Sequence, residues 1–334
     1  MEREARFWEP QNGGVQCHLC PHECVIADGK RGICGVRENR NGRLISLIYA
    51  ACSSVTPDPI EKKPLYHFHP GSSALSLGTV GCNLRCLHCQ NFTISQADPD
   101  EHRMMELPPK RAVETARRQD CQGIAYTYNE PSIWWEYTYE SAKAAKEAGL
   151  YTAYVTNGYT TSRAIREIAP YLDAANVDVK SMSDSFYREI CGARMQPVLD
   201  ACKTYRDEGV HLELTYLVIP GHNDGTDDLE AFSSWVRDEL GEETPVHFSA
   251  FYPTHRMTDV PRTTKEQLLD AYDIAQETGI RYVYLGNVPH GDYENTYCPQ
   301  CNELLIERHG FTAQIVGLDG TACKNCGEEI PVVR

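Results

Sequence analysis

The chain has 334 residues, of which 41% are hydrophobic, and a formal net charge of −15 at pH 7. This length and apolar content suit one large α/β domain with appendages or two domains, and the acidic charge disfavours a general nucleic-acid-binding protein. The sequence has no run of about 18 apolar residues, the length that a membrane-spanning helix requires. The polar residues 1–16 do not have the pattern of a secretory signal, so we expect a cytoplasmic protein with no membrane partner.

The first predicted element is a Cys-, Gly- and Pro-rich N-terminal extension over residues 1–73. It contains five of the chain's 15 cysteines, and four of them form a group that we call the N-terminal cysteine set: Cys17, Cys20, Cys24 and Cys34. In a reducing compartment, such clustering indicates metal ligands rather than disulfides. Four thiolates suit either zinc, which is slightly favoured, or an auxiliary iron–sulfur cluster. The isolated cysteines are interpreted as small buried hydrophobic residues: Cys52, Cys121, Cys191 and Cys202.

The next group, Cys82, Cys86 and Cys89, has the spacing C-x3-C-x2-C, and no fourth cysteine follows nearby. It comes directly after residues 74–80, whose apolar pattern predicts a buried strand. A [4Fe–4S] cluster normally takes four thiolates, so three would leave one iron free to chelate S-adenosylmethionine. Reduction of such a cluster can cleave the sulfonium C–S bond and release a 5′-deoxyadenosyl radical, a chemistry that belongs to the cofactors. The alternative is three structural cysteines or a zinc loop.

From residue 74 onwards, apolar runs alternate with helical patterns, which predicts a parallel sheet with crossover helices. The predicted strands are 74–80, 123–128, 151–156, 174–180, 211–219, 245–252 and 281–286. The predicted helices are 108–120, 132–148, 161–171, 197–208, 227–240 and 263–278. These units are too few for a closed eight-stranded barrel, so we expect an open, curved partial barrel over residues 74–295. Its site should lie at the carboxyl ends of the strands.

Polar residues follow three of these strands. Asn129 and Glu130 come after the second strand and are candidates for receiving the ammonium group of S-adenosylmethionine. The alternative is a helix that begins at Pro131, whose dipole Glu130 would favour. Asn157 follows the third strand within Thr-Asn-Gly and either bonds the ligand or forms a turn.

Asp178 and Lys180 end the fourth strand, and alternation places both side chains on one face. Because unpaired charges are rarely buried, both need partners if that face is the barrel interior. A bound zwitterion can supply them, with Lys180 on its carboxylate and Asp178 on its amine or a ribose hydroxyl. The alternative is an ion pair between the two residues or with a neighbour.

Residues 296–334 carry two CxxC pairs separated by 21 residues. This pattern resembles a zinc ribbon, in which two thiolate pairs complete a closed tetrahedral site. We therefore expect structural zinc, with an auxiliary iron–sulfur cluster or a single iron as alternatives. The ligands, which we call the tail cysteine set, are Cys298, Cys301, Cys323 and Cys326.

Together these residues make the chain resemble the radical S-adenosylmethionine superfamily, in the branch around pyruvate formate-lyase activating enzyme. Within that branch it resembles the radical enzyme of the AmmeMemoRadiSam system. The resemblance rests on segments that span nearly the whole chain: 17–21, 58–68, 81–91, 126–131, 285–288 and 297–301. It implies an α/β fold with a partial (β/α)6 TIM-type barrel and a [4Fe–4S] cluster on the three loop cysteines. It also implies two partner proteins.

The resemblance also implies contacts to S-adenosylmethionine. The superfamily's ligand turn falls on Tyr128, Asn129 and Glu130, and an Asp-x-Lys pair falls on Asp178 and Lys180. Asn157 and His88, which stands where the family often has an aromatic residue, are further candidates.

Two departures prevent the transfer of substrate contacts. Val155 stands where the activating enzymes carry Asp, and their late histidine ligand falls near Tyr252 or Pro253.

The sequence thus predicts a radical enzyme that cleaves S-adenosylmethionine reductively and acts on an unidentified substrate. It would need an external one-electron donor. The first alternative is a protein that activates a glycyl-radical enzyme. The second is a non-catalytic iron–sulfur or zinc protein that transfers electrons or serves as a scaffold. Nucleic-acid binding through the tail is disfavoured by the charge.

Overall fold

The computed structural model describes residues 2–287 and 291–334. Its centre is an eight-stranded sheet in which seven strands run parallel, each paired with the next along the chain. The seven strands are Ser73–Gly78, Gly123–Tyr126, Tyr151–Thr156, Ala174–Asp178, His211–Val218, Val246–Ala250 and Val283–Gly286. Every predicted strand is therefore confirmed, with its ends shifted by a few residues. The curvature into a partial barrel stays a prediction.

Crossover helices connect these strands, and the strands are largely buried, as is usual in parallel sheets. The six helices are Pro109–Arg118, Trp135–Glu147, Ser162–Ile168, Gln196–Asp207, Thr226–Glu239 and Lys265–Thr278. Two predicted helices include a 3₁₀ turn, Pro131–Trp134 and Ala169–Tyr171. The last helix begins in a capping box, in which Thr264 and Gln267 satisfy each other's backbone N–H groups.

The eighth strand of the sheet comes from the N-terminal extension. Ser54–Pro59 pairs antiparallel with Ser73–Gly78, so part of residues 1–73 is continuous with the main sheet. The boundary at residue 73 stays a prediction. Small antiparallel pairings fill the rest of the extension: Arg3–Glu4, Trp8–Gln11, Gly14–Cys17, Val25–Ile26, Arg37–Arg40, Arg43–Ser46 and Ala51–Cys52, the last with Met105–Glu106. A 3₁₀ turn follows at Ile60–Lys62.

The tail forms a small β unit that docks on the last strand of the sheet. Its strands are Thr296–Tyr297, Leu304–His309, Thr312–Ile315, Leu318–Asp319 and Ala322–Cys323, after a 3₁₀ turn at Gly291–Glu294. Tyr282 and Tyr284 pack with Leu305 and Ile306 in one buried cluster. The boundary at residue 296 stays a prediction.

Three short helical segments were not predicted. Phe92–Ser95 follows the cysteine loop, and Asp184–Phe186 leads into a π-helical turn over Tyr187–Cys191. Val288, which belongs to the segment 285–288 of the family resemblance, lies outside the described residues. Within the ranges 2–287 and 291–334, no helix combines the length and apolar character that a membrane crossing requires.

Candidate active site and metal centres

A cavity of about 620 Å³ opens at the carboxyl ends of the parallel strands. This is the edge where open α/β sheets bind ligands, and the volume suits a small cofactor. The three loop cysteines and all six residues proposed above to contact S-adenosylmethionine line it. The nine residues are Cys82, Cys86, Cys89, His88, Asn129, Glu130, Asn157, Asp178 and Lys180.

Two asparagines fix the loop over residues 81–91, which we call the cluster loop. Asn129 accepts the N–H of Thr79 at 3.0 Å and donates to the Gly81 carbonyl at 2.8 Å. Asn157 donates to the Asn83 side chain at 2.9 Å and lies 3.6 Å from the Cys82 sulfur. Asn157 also accepts the N–H of Tyr159 at 2.8 Å, so it forms the turn that was one of its two expected roles.

Glu130 is buried, and three groups of the chain donate to its carboxylate. Ser132 N–H and the Thr156 hydroxyl bond one oxygen at 2.9 and 2.7 Å, and Asn157 N–H bonds the other at 2.8 Å. Burial raises the pKa of Glu130, while these hydrogen bonds act in the opposite direction. Glu130 therefore caps the helical turn at Pro131, the alternative weighed from the sequence, and ties two strand ends together.

Asp178 and Lys180 form an ion pair of 2.9 Å at the cavity wall. Their side chains are 38% and 12% exposed, so Lys180 is the more buried partner. Burial by itself would lower the pKa of Lys180, but the Asp178 carboxylate and the negative charge of the Cys86 and Cys191 thiolates together outweigh it and raise the pKa well above its usual value. Tyr187 and Asn223 hold the Lys180 backbone, because Lys180 N–H donates to the Tyr187 hydroxyl and Asn223 donates to the Lys180 carbonyl.

His88 is 4% exposed, and its Nδ1 atom has no hydrogen-bond partner among the described residues. Burial lowers the pKa of His88 to about 3, and the positive charge of Lys180 contributes, so the ring is neutral at physiological pH. A neutral ring with an unpaired nitrogen in this cavity can donate a hydrogen bond to a bound ligand or accept one from it, depending on the tautomer.

Sequence reasoning missed two features near the site. Cys191 is fully buried, and its sulfhydryl lies within hydrogen-bonding reach of the Cys86 sulfur. Cys191 lies in a π-helical turn, and such turns are frequent at functional sites. Because the turn has no clear sequence pattern, the sequence did not indicate the contact between Cys191 and Cys86. The cluster loop donates Arg85 N–H to the Cys191 carbonyl at 2.8 Å, which joins the two segments.

The second feature is a charged network beside the cavity, which three of its residues, Lys62, Lys63 and Tyr128, line. Asp58 accepts hydrogen bonds from Lys62, Lys63 and Tyr128 at 2.8, 2.7 and 2.5 Å. Burial lowers the pKa of Lys63 to about 8 in spite of the Asp58 carboxylate. Asp58, Lys62 and Lys63 belong to a segment that carried the family resemblance, but their polar pattern alone did not reveal that Lys62 and Lys63 line the same cavity as the cysteines.

The tail cysteine set is compact. Its four sulfur atoms all lie within 4.8 Å of one another, with Cys298 to Cys326 at 3.5 Å and Cys301 to Cys323 at 3.7 Å. This arrangement can bind a metal ion. The N-terminal cysteine set lines a separate small cavity beneath the cluster loop.

Comparisons with known proteins agree with this geometry. Residues 76–233 match the model of the Radical SAM superfamily. The uncharacterized protein MJ0808 of Methanocaldococcus jannaschii is 47% identical over 334 residues, which cover 99% of each chain. The chain therefore belongs to the Radical SAM superfamily, whose domain implies a [4Fe–4S] cluster and S-adenosylmethionine.

More distant relatives are activating enzymes. Pyruvate formate-lyase 1-activating enzyme of Escherichia coli is 25% identical over 162 residues, which are 47% of this chain and 66% of that one. Among solved structures, a radical SAM methyltransferase from Sphaerobacter thermophilus has a TM-score of 0.52 with 16% identity and 71% of each chain covered. This last likeness shows the fold alone.

Proposed function

We propose that this chain is a radical enzyme that cleaves S-adenosylmethionine reductively and abstracts a hydrogen atom from a substrate yet to be identified. Cys82, Cys86 and Cys89 would hold the [4Fe–4S] cluster. When bound and reduced, the cluster and S-adenosylmethionine would together supply a 5′-deoxyadenosyl radical. The electron would come from an external one-electron donor, which activating enzymes of this superfamily require.

The observation that carries the proposal is the convergence of three thiols on one cavity at the strand ends; among the described residues, Cys191 contacts Cys86 but does not line this cavity. The cavity also holds the unpaired Nδ1 of His88, as expected where a ligand supplies the missing partner. In the described part of the chain, these three cysteines are not among the ligand groups compact enough for a single ion. The donor set therefore fits a multi-iron cluster with one iron left for another ligand.

Lys180 and Asp178 would bind the amino-acid part of S-adenosylmethionine. The Lys180 ammonium suits its carboxylate, and the Asp178 carboxylate suits its amine or a ribose hydroxyl. Their present ion pair supports this role, because a ligand that carries both charges can replace each partner with an equivalent one. His88, neutral and unpaired, would add a hydrogen bond from the cavity wall.

Asn129, Asn157 and Glu130 would act on the cluster loop and the strand ends. Asn157 points its N–H group at the Cys82 sulfur, and a hydrogen bond to a cluster sulfur raises the reduction potential. Asn129 holds the loop at two backbone points, so it would keep the cysteines in place when the ligand enters. Glu130 has three internal donors and would position Asn157 more than it touches the ligand.

Anaerobic reconstitution with iron and sulfide, followed by dithionite and S-adenosylmethionine, tests the proposal. We expect 5′-deoxyadenosine from the wild type and from Cys121→Ala, a matched change beside the opposite ends of the strands. We expect none from Cys86→Ala. A reduced, intact cluster that yields no 5′-deoxyadenosine would contradict the enzyme and favour an electron-transfer or scaffold protein.

A second candidate is the activation of a glycyl-radical enzyme. The similarity to activating enzymes of Escherichia coli, and to the isethionate sulfite-lyase activating enzyme of Nitratidesulfovibrio vulgaris at 27% identity over 121 residues, favours it. Val155 in the cavity wall replaces a family Asp and weighs against it. A glycyl-radical signal after incubation with a candidate protein partner would support this function.

The AmmeMemoRadiSam assignment is the finer form of the proposal and rests on the sequence segments described above. It would provide two protein partners, which co-purification with the tagged full-length chain can detect.

For the tail cysteine set we propose structural zinc. Zn–S bonds of about 2.3 Å give a tetrahedron with sulfur atoms about 3.8 Å apart, close to the observed 3.5 and 3.7 Å.

A further inference from the structure

The N-terminal cysteine set surrounds its own small cavity. Cys17 ends the strand Gly14–Cys17, and its N–H donates to the Cys24 carbonyl at 2.9 Å, which brings two of the four residues together. Cys20 lies in the turn between them, and Cys34 comes from the next loop. All four line one small cavity of about 20 Å³, against about 620 Å³ for the cavity at the strand ends. The other walls are mainly apolar, with Leu19, Ile26, Ile33 and Ile133.

This set is more open than the tail cysteine set. The sulfur atoms of the tail cysteines all lie within 4.8 Å of one another. Within residues 2–287 and 291–334, the N-terminal cysteines do not form a group that meets this limit. A single zinc ion needs its thiolates about 3.8 Å apart. Four sulfurs spread around an apolar cavity instead match a cluster in which each thiolate binds a different iron. In the described part of the chain, the three cysteines of the cluster loop likewise do not form a group within 4.8 Å.

The N-terminal cavity lies directly behind the cluster loop. A Cβ atom on Gly81 would lie 2.8 Å from the Cys34 carbonyl oxygen and 2.6 Å from Val36, so the two backbones touch where only glycine fits. Gly81 immediately precedes Cys82. On the far side of Cys82, the His22 ring bonds the Asn83 carbonyl at 2.7 Å. Cys34 of the N-terminal set and Cys82 of the cluster loop are thus linked through a single backbone contact, between Cys34 and Gly81.

Two exposed apolar side chains adjoin the N-terminal cysteine set, and we call them the Val25–Ile33 rim. Ile33 lines the cavity, and Val25 follows Cys24 in the sequence. Val25 and Ile33 are 56% and 44% exposed. Exposed apolar side chains next to a redox centre suit the small, transient interfaces of electron-transfer proteins.

We propose that Cys17, Cys20, Cys24 and Cys34 bind a second [4Fe–4S] cluster, which passes electrons to the cluster on Cys82, Cys86 and Cys89. A low-potential one-electron carrier of the ferredoxin or flavodoxin class loses one electron to the second cluster at the Val25–Ile33 rim. That cluster changes from the 2+ to the 1+ state and returns to 2+ as the catalytic cluster gains the electron. No bond forms or breaks, and no proton moves. The electron transfer rests on the proposed function, whereas the metal assignment does not.

The metal assignment is tested in the full-length variant Cys82→Ala/Cys86→Ala/Cys89→Ala, which leaves the N-terminal cysteine set unaltered. After anaerobic reconstitution we expect about four iron and four sulfide per chain and an electron paramagnetic resonance signal on reduction. A further Cys20→Ala/Cys24→Ala change should remove iron, sulfide and signal. Zinc at this set with no acid-labile sulfide, measured in the triple variant, would overturn the assignment.

The electron transfer is tested in Cys20→Ala/Cys24→Ala with the catalytic cysteines intact, after circular dichroism confirms the fold. Dithionite, a small reductant, should still reduce the catalytic cluster, while reduction by a ferredoxin or flavodoxin should be lost. An unchanged rate with the protein donor would overturn the relay but leave the metal assignment standing. If dithionite reduces the cluster but no 5′-deoxyadenosine forms in the wild type, the proposed function fails instead.

Discussion

The N-terminal and tail cysteine sets each provide four cysteines near one end of the chain, yet they have different geometries. The tail sulfurs lie close enough for one ion, while the N-terminal sulfurs spread around an apolar cavity. Their surroundings differ too, because the tail docks on the last strand and the N-terminal set lies under the cluster loop. The number of cysteines is the same in both sets, so the sequence predicts metal binding for each, and we propose that the spacing of the sulfur atoms distinguishes an ion from a cluster.

The largest expected effect comes from removing a tail ligand. Cys323→Ser should abolish zinc binding in the full-length protein, and the melting temperature should fall, because the binding free energy of a structural zinc ion is also folding free energy. Iron and sulfide content should stay unchanged if the two sets bind different metals. Metal analysis and thermal unfolding measure both effects, with Cys121→Ser as the control. If the variant loses iron instead of zinc, the tail set does not bind zinc and the proposed difference between the two sets is wrong.

A buried ion pair connects the N-terminal set to the helix Trp135–Glu147. Arg37 lines its cavity and bonds Glu136 of the helix Trp135–Glu147 at 2.6 Å, and their side chains are 1% and 4% exposed. Glu136→Ala would leave a buried charge without its partner, and we expect a loss of about 3–5 kcal/mol in the free energy of unfolding.

The matched control is Glu140→Ala, one helical turn further on. Glu140 pairs with Arg3, and both side chains are more than one-third exposed, so the loss should be below about 1 kcal/mol. Chemical denaturation measures both variants. Equal losses would show that the buried pair does not anchor this end of the molecule.

The contact between the N-terminal set and the cluster loop is tested at Gly81, whose φ is +86°. In Gly81→Ala, the left-handed backbone costs about 1–2 kcal/mol, and the close contact with Cys34 adds about 1–3 kcal/mol. Gly149 has a φ of +75° and nothing within 4 Å of a Cβ, so Gly149→Ala carries the backbone cost alone. Denaturation curves of equal midpoint for the two variants would contradict the contact.

A smaller effect concerns pH and the attachment of the tail. His67 bonds the Tyr284 hydroxyl at 2.6 Å and lies 3.3 Å from the Pro331 carbonyl. Burial lowers the pKa of His67 to about 3, although the Glu213 carboxylate acts to raise it. Because the unfolded chain binds the proton near pH 6.5 and the folded chain does not, stability falls as the pH drops from about 6.5 towards 3.

We expect His67 to contribute a slope of about 1.4 kcal/mol per pH unit in this range. The slope of the unfolding free energy against pH should therefore be less steep in His67→Phe than in the wild type. Identical slopes would show that His67 is not held neutral at the tail interface.

The sequence predicted the features that depend on local patterns. Continuous apolar runs such as 74–80 identified the parallel strands, and the spacing of Cys82, Cys86 and Cys89 identified the cavity loop. Features that depend on distant contacts were not predicted. Ser54–Pro59 contains two prolines and does not have the pattern of a strand, yet it pairs along the edge of the sheet.

In the candidate site too, the features that depend on local patterns were predicted, and those that depend on distant contacts were not. The strand ends brought Asn129, Asn157 and Lys180 to one cavity, as alternation and topology indicated. Cys191 reaches Cys86 only because a π-helical turn carries it there, and Asp58 meets Tyr128 across 70 residues of sequence. Such contacts follow from the packing of whole elements, which short-range patterns do not encode.

In the proposed function, one iron of the catalytic cluster has no protein ligand. The most direct test of this claim is electron–nuclear double resonance on the reduced full-length protein with S-adenosylmethionine labelled with ¹⁵N at its amino group. The account predicts ¹⁵N coupling to the cluster in the wild type and in Cys191→Ala, and none in Cys86→Ala. An absence of coupling in the wild type, together with ligation of the fourth iron by Cys191 or another side chain, would contradict it.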